Sequence, residues 1–496
     1  MKKRLLILLL LLLPSLLMAQ DFAAYARKVA KDWNIVGSAL AVIKDDKMVM
    51  AEGFGERFKG SGRAVDANTV FQIGSVTKSF TATLMAMMVE DSLVRWEDPV
   101  KMYLLEFEMF DPWLTDNLQV RDLFLHRTGL PSQGGTYIPC LGYDRDDVFG
   151  MIKYMPLAAS PRTTYAYNNI IFLVAQRIIE SVTGKSWEEN LQERIFDPLG
   201  MTRTFVNESG FTSAAEGNTP HETVYRDGAI RTNPMEGEEQ ALHWLTAIGP
   251  AGSISSTVTD MIQWSRFHLS NGTLDGKTLL QPSSMEYLHK GQLITSQNHT
   301  KTTVYAPCWF VEQNNQYRVY FHTGTTWGFT ALCAFVPELN LGMMWLSNCE
   351  PPSDPRYAIM RHIIDHYMSL PYTDYSEEYL KKYLEEKKNE ADKEAAAKAS
   401  EVKETSAPYG QYVGKYCHEC LGEAFITLEG GDLYITLGPE SWPNRKHKLT
   451  HINAHCFGFR SGGAGFKLKF LMEGDVITFD LDLGENENMG LWRASK

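Results

Sequence analysis

Cysteine is scarce in this sequence: seven in 496 residues, an odd count that leaves at least one thiol without an intrachain partner. Disulfides are therefore not what builds the fold. Long apolar runs are missing beyond the first residues, which excludes a polytopic membrane protein. Basic charge is short as well, with 48 Lys and Arg against 60 Asp and Glu for a net charge of −12, and without Lys2, Lys3 and Arg4 the chain carries −15. Such a field repels phosphate backbones and excludes nucleic acid as a general partner. Apolar residues are not depleted: 44% hydrophobic, 22% charged and 11% aromatic is ordinary globular usage, which rules out collagen, mucin and disordered scaffolds. The length allows about three domain-sized units and a large core.

The first nineteen residues set Lys2, Lys3 and Arg4 before the apolar run Leu5–Leu13, then Pro14 and the small-residue end at Ala19. This predicts a secretory signal peptide cut after Ala19, hence an exported protein, periplasmic or secreted, with no stable membrane anchor after cleavage. About 14 apolar residues fall short of the roughly 20 that span a bilayer. No cysteine follows the cut, since Gln20 and Asp21 come next, which argues against a lipoprotein. Cys417 and Cys420 with His451 and His455 imitate a zinc pattern, but the intervening stretch is too long and strand-like, so a disulfide or unpaired thiols are expected instead. His362 and His366 stand one helical turn apart around Ile363 and Ile364, the pattern of an ordinary partly buried helix.

Runs at Val36–Ile43 and Met48–Ala51, parted by Lys44-Asp-Asp-Lys47, predict a hairpin. From about Phe80 to Leu269 helical patterns dominate, with capping boxes at Ser186/Glu189 and Thr257/Asp260 and a helix end at Asp197-Pro-Leu-Gly200. Strand signals return at Val304–Val311, Tyr317–His322, Phe329–Val336 and Gly342–Leu346, followed by a helix at Tyr357–Tyr367. The expected fold is α+β: one antiparallel sheet built from N- and C-terminal segments with an inserted helical subdomain. A charged, partly helical spacer rich in Glu/Lys pairs follows at about Ser376–Ser406. Hairpin grammar around Glu429-Gly-Gly-Asp432 and Glu473-Gly-Asp475 then predicts a small all-β domain whose Phe425, Phe470, Phe479 and Trp492 fill its interior. The boundaries are 1–19, 20–370, 371–405 and 406–496.

Ser75-Val-Thr-Lys78 precedes the apolar stretch Phe80–Val89. On a helix the i and i+3 side chains share a face, so the Ser75 hydroxyl and Lys78 amine are expected side by side at the positive helix end. A desolvated lysine of lowered pKa can accept the serine proton. The pattern alone is weak, because Ser400-Glu-Val-Lys403 repeats it inside the solvated spacer. Tyr167 and Asn169 lie in Pro161-Arg-Thr-Thr-Tyr-Ala-Tyr167-Asn-Asn169, and His322-Thr323-Gly324-Thr325 ends an apparent strand. Taken singly, Tyr167 reads as a core tyrosine beside Tyr165, and His322 as a strand histidine.

With these three motifs in order, the sequence resembles the serine β-lactamase and penicillin-binding-protein superfamily, in its class C-like branch of β-lactamases, D-amino-acid peptidases and esterases. The resemblance runs from about Asp21 to Leu370 and includes Asp122-Leu-Phe-Leu-His126-Arg-Thr-Gly-Leu-Pro131 and Phe196-Asp-Pro-Leu-Gly-Met201. It implies that Ser75 attacks a carbonyl to form an acyl-enzyme while Lys78 and Tyr167 share the proton transfers. It also implies that Asn169 orients Lys78 or a substrate amide, that His322 and Thr323 face the substrate, and that the backbone N–H groups of Ser75 and Thr325, beside Gly324, form an oxyanion hole. No metal or organic cofactor is needed, and the expected partner is a small-molecule or short-peptide substrate. Relatives of this architecture carry lipocalin-like β-domains after the catalytic domain. Two departures stand out: His322 replaces the Lys of Lys-Thr-Gly, and Arg162 replaces a Gly after Pro161. A largely neutral imidazole suits a substrate carboxylate less than an ammonium does. The expectation is an exported peptidase or esterase ahead of a true β-lactamase, with a non-catalytic penicillin-binding or sensor protein as the rival from another class.

Overall fold

The computed structural model describes residues 21–206, 208–214, 216–235, 238–350, 354–400, 406–474, 476–482 and 488–494. The expected leader, 1–19, lies outside them. No helix among the described residues is long and apolar enough to cross a membrane. The chain forms two compact units, the first being Met1–Leu93, Lys185–Glu236 and Gly252–Ala396, and the second Val94–Gly184, Gly237–Ala251 and Ala397–Lys496.

In the first unit the expected hairpin forms from β1 (Gly37–Lys44) and β2 (Lys47–Gly55). Asp45 and Asp46 take φ of +51° and +60°, the two-residue turn whose twist matches a hairpin and which aspartate tolerates. Strands β3 (Leu293–Gln297), β4 (Thr302–Ala306), β5 (Trp309–Gln313), β6 (Arg318–Thr326), β7 (Phe329–Val336) and β8 (Leu341–Ser347) complete one sheet in the order β2-β1-β8-β7-β6-β5-β4-β3. N- and C-terminal segments share it through the antiparallel pairing of β1 with β8, Leu40 opposite Trp345. Seven of the eight β1 residues are buried, because both faces of the sheet are covered. One run read as a single strand, Val304–Val311, is two: Pro307 and Cys308 turn the chain between β4 and β5, with Cys308 at φ +62°.

Helix α1 (residues 21–32) lays Phe22, Ala26 and Val29 on one sheet face beside Ile359 and Ile363. The expected C-terminal helix begins three residues early, so that it spans Asp354–Tyr367. His362 stacks on Tyr25 with ring centroids 3.8 Å apart, and His362 and His366 both lie near Asp21. The charged spacer is a helix, Tyr375–Ser400, with Lys/Glu pairs at i,i+4 and i,i+3. Its start is not merely solvated: the Trp33 indole donates to Ser376 Oγ, and Tyr379, Leu380 and Tyr383 pack on the core. The Ser186/Glu189 capping box forms, and Gly200 ends that helical stretch at φ +67°. Thr257 caps its helix, but Asp260 turns its carboxylate to Arg203 N–H and the Thr204 hydroxyl.

In the second unit the C-terminal residues form a meander, Gly414–His418, Gly422–Glu429, Asp432–Thr436, Lys446–Asn453 broken at Leu449, Cys456–Ser461, Ala464–Glu473, Val476–Asp482 and Asn488–Ala494. Each strand pairs with the next and the last with the first, which closes a small barrel. Tyr412, Tyr416, Phe457, Phe470 and Phe479 fill it; Phe470 lies 4.6 Å from Tyr412 and 5.4 Å from Phe479 between ring centroids. Phe425 does not join them, being 38% exposed on its strand's outer face, and the side chain of Trp492 lies outside those described. Cys417 and Cys420 form no disulfide. His455 Nδ1 meets the Tyr412 hydroxyl at 2.7 Å and His451 Nε2 bonds Ala454 O, so the imidazoles of the zinc-like pattern have other partners.

Candidate functional site

Phe71 and Gln72 pair with Ser255 and Ser256, and Ile73 N–H bonds Ile254 O, which anchors the chain just before Ser75. A tight turn at Gly74–Val76, with Gly74 at φ +50°, then feeds the helix Thr77–Glu90, buried on nearly every side. The turn leaves Ser75 half-buried while Lys78, one helical turn on, is fully buried. Lys78 Nζ lies 3.0 Å from Ser75 Oγ. Loss of water pushes the Lys78 ammonium down to about 7. The adjacent Cys308 would restore the charge only as a thiolate, and its own burial pushes that thiol far above its ordinary range.

Strand β6 runs against this turn. A Cβ on Gly324 would fall 1.8 Å from Ile73 O and 3.1 Å from Ser75 N, and one on Gly74 would fall 2.8 Å from Thr325 N. Only glycine at both positions lets the backbones of 73–75 and 324–325 touch, which brings the Ser75 and Thr325 amides together. Behind the strand the buried Arg356 guanidinium donates to Gly324 O at 2.5 Å, to Thr325 Oγ1 at 3.2 Å and to Ala331 O at 3.2 Å. No motif in the sequence marks Arg356; only its burial reveals the clamp.

His322 and Thr323 do not present their side chains as expected. The His322 ring is 1% exposed. Its Nδ1 lies 2.7 Å from Thr323 O, which can only accept, so Nδ1 carries the proton and Nε2 accepts from the Tyr305 hydroxyl at 3.1 Å. Burial, and then the Lys78 charge, lower its pKa to about 3, and the ring is neutral. Thr323 hydrogen-bonds Tyr357 on the opposite sheet face.

Tyr167 and Asn169 belong to the second unit, where residues 126–136 cradle them. His126 Nδ1 accepts from Asn168 N–H, and its ring centroid is 4.1 Å from that of Tyr167. Tyr167 O accepts from Gln133 N–H at 2.6 Å, and the Asn169 amide donates to Gln133 Oε1 at 2.9 Å and Thr136 Oγ1 at 3.2 Å. Gln133 escaped sequence reading because Tyr167 and Asn169, which it holds, lie more than thirty residues away. Arg162 takes φ +65°, which suits glycine, and is held there by Asp122, 2.7 Å from Nη2. Asp122 is itself 1% exposed and bonded to Arg127 as well.

Among relatives, the chain is 35% identical over 252 residues to the unguisins hydrolase of Aspergillus violaceofuscus, across 49% of this chain and 44% of that protein. It therefore spans less than half the length of that relative. The corresponding hydrolase of Aspergillus campestris is 28% identical, over 80% of this chain and 76% of its own. Penicillin-binding protein 4 of Amycolatopsis lactamdurans is 29% identical over 51% and 64%. Among solved structures, the octameric penicillin-binding protein homologue of Pyrococcus abyssi superposes with a TM-score of 0.61 at 18% identity, over 95% of this chain and 99% of that one. The D-amino acid amidase of Ochrobactrum anthropi SV3 gives 0.57 at 20%, over 70% and 99%. These two establish likeness of fold. The family model for Beta-lactamase matches residues 22–367, a span that holds the Ser75–Lys78 pair, the Tyr167 loop and the glycine-bearing strand, and this protein belongs to that family.

Proposed function

We propose that this protein is a serine hydrolase that forms an acyl-enzyme on Ser75 and cleaves an amide or ester. The observation that carries the reading is the 3.0 Å contact between Ser75 Oγ and a Lys78 whose pKa burial lowers to about 7. A neutral amine there accepts the hydroxyl proton as Oγ attacks the carbonyl carbon, and the amides of Ser75 and Thr325 stabilise the developing oxyanion. As the family resemblance implies, Tyr167 gives its phenolic proton to the leaving group and takes in its place the one held by Lys78, and Asn169 orients the substrate amide. Water then attacks the ester carbonyl and releases Ser75.

The finer reading is a peptidase or esterase with D-amino-acid peptides among its substrates. The names of relatives, hydrolases of unguisins and a D-amino acid amidase, support amide cleavage outside the lactams. A buried, neutral His322 supports the same choice, because it supplies no cation for a lactam carboxylate. The leader Met1–Ala19 supports export, which a mature N-terminus at Gln20 would test.

Intact-protein mass spectrometry after incubation with a fluorophosphonate, a penicillin and a p-nitrophenyl ester tests the mechanism. Wild type is expected to gain an adduct and turn over the ester, and Ser75→Ala to do neither. Turnover retained in Ser75→Ala would overturn the reading. Persistent labelling with no turnover of any substrate would favour a penicillin-binding sensor.

A further inference from the structure

A cavity of about 590 Å³ lies in the first unit on the face of β6 away from Ser75. Successive strand residues face opposite sides: Gly324 abuts Ser75, whereas Phe321 lines this cavity. Phe310, Phe321 and Tyr357 give it an apolar floor. Its charges fall into two groups. Lys301 and Arg361 both bond to the buried Glu312, two cations on one carboxylate. Asp354 and Glu378 line it with Lys382, whose ammonium also meets Glu386 at 3.8 Å, and Lys382 and the buried Arg356 act on Asp354. Tyr379 is within electrostatic reach of both groups, of Arg361 and Glu312 and of Glu378 and Asp354. Among the lining side chains the first group is thus left net positive and the second net negative.

We propose that this cavity is a second ligand site, for a zwitterionic amino acid or short peptide with apolar side chains. The carboxylate sits at Lys301 and Arg361, the ammonium at Asp354 and Glu378, and the side chains on Phe310, Phe321 and Tyr357. The volume falls within the range of about 300–1,000 Å³ of small-molecule pockets. Charge-assisted contacts at both ends select a free peptide over a blocked one.

The test is calorimetric titration of full-length Ser75→Ala with D-phenylalanyl-D-phenylalanine and its L,L enantiomer, each also N-acetylated or C-amidated. Saturable binding is expected for at least one free peptide, and each block is expected to weaken it about tenfold or more. Lys301→Gln and Asp354→Asn should weaken the free peptide similarly. Lys301→Gln should matter little to the amide, and Asp354→Asn little to the acetylated form. If Asp354→Asn melts early without peptide, Glu378→Gln on the exposed side of its helix probes the same ammonium contact. No saturable binding at millimolar peptide overturns the proposal, and so does binding indifferent to the Lys301 and acidic-side substitutions. The second result would place the peptide elsewhere, and neither bears on whether Ser75 acylates.

Discussion

The helix around Lys78 leaves no water to solvate an ammonium, which suits its amine to the role of base proposed for it. With its pKa at about 7, the neutral amine grows as pH rises, so kcat/KM for ester hydrolysis should climb through pH 7 and level above it. Lys78→Arg, charged at every accessible pH, should lose at least about a hundredfold in rate together with that limb. A limb retained in Lys78→Arg would assign the base elsewhere. His322 has the opposite fate. Folded it stays neutral to about pH 3, but unfolded it charges near 6.5, so folding stability contributed here is lost as pH falls from 6.5 towards 3. His322→Gln should make acid unfolding shallower across that window. His322→Lys should lower the thermal midpoint, because the pocket offers the new ammonium Tyr305 and a carbonyl and sets it beside Lys78. An unchanged midpoint would show the ring to be less enclosed than the structure places it. The i,i+3 spacing made the Ser75–Lys78 contact readable in sequence. The occlusion of His322 was not readable, since Tyr305 reaches it from a strand hidden within one apparent β-run.

At the scale of elements, two backbone positions decide how loops and strands present these groups. Arg162 holds a left-handed conformation that costs a non-glycine residue about 1–2 kcal/mol, offset by its ion pair with Asp122. Arg162→Ala keeps the strain and loses the pair, whereas Arg162→Gly loses both. Alanine should therefore destabilise by about 1 kcal/mol more than glycine in denaturant titrations, and equal costs would show that the left-handed turn carries no strain. The departure from glycine was visible in sequence, but not its partner, forty residues away in the chain. Gly324 tolerates nothing larger: Gly324→Ala must push β6 off Ile73, so turnover should collapse while the protein still melts cooperatively. Near-wild-type turnover in Gly324→Ala would mean that the amides of Ser75 and Thr325 need not be held together. The hairpin, the capped helix at Ser186 and the C-terminal strands were legible because turn and cap residues announce them. The β4–β5 turn was only half announced: Pro307 interrupts the run, but Cys308 is not a residue that ordinarily takes the φ of +62° the turn needs.

Across the whole molecule, composition marks where the chain changes character but not which pieces pack together. The Glu/Lys-rich stretch separates the barrel from everything before it in sequence, yet in space the barrel belongs to the unit built on Val94–Gly184. The segment 137–143 joins them. Tyr143 donates its hydroxyl to Leu421 O, Ser461 Oγ donates to Cys140 O at 2.6 Å, and Trp442 covers Gly142 and lies 4.5 Å from the His243 ring. Gly142 sits at φ +95°, and a Cβ there would come within 2.3 Å of the indole, so this joint needs both a left-handed turn and an absent side chain. A barrel held this way should not unfold by itself. Hydrogen exchange is expected to give strand amides of the barrel and helix amides of Ile171–Thr183 the same opening free energy. Trp442→Ala removes a large half-buried contact and should lower both by about 1–3 kcal/mol together. Loss of protection confined to the barrel strands would instead make the barrel a separate folding unit, attached to the hydrolase only through the chain.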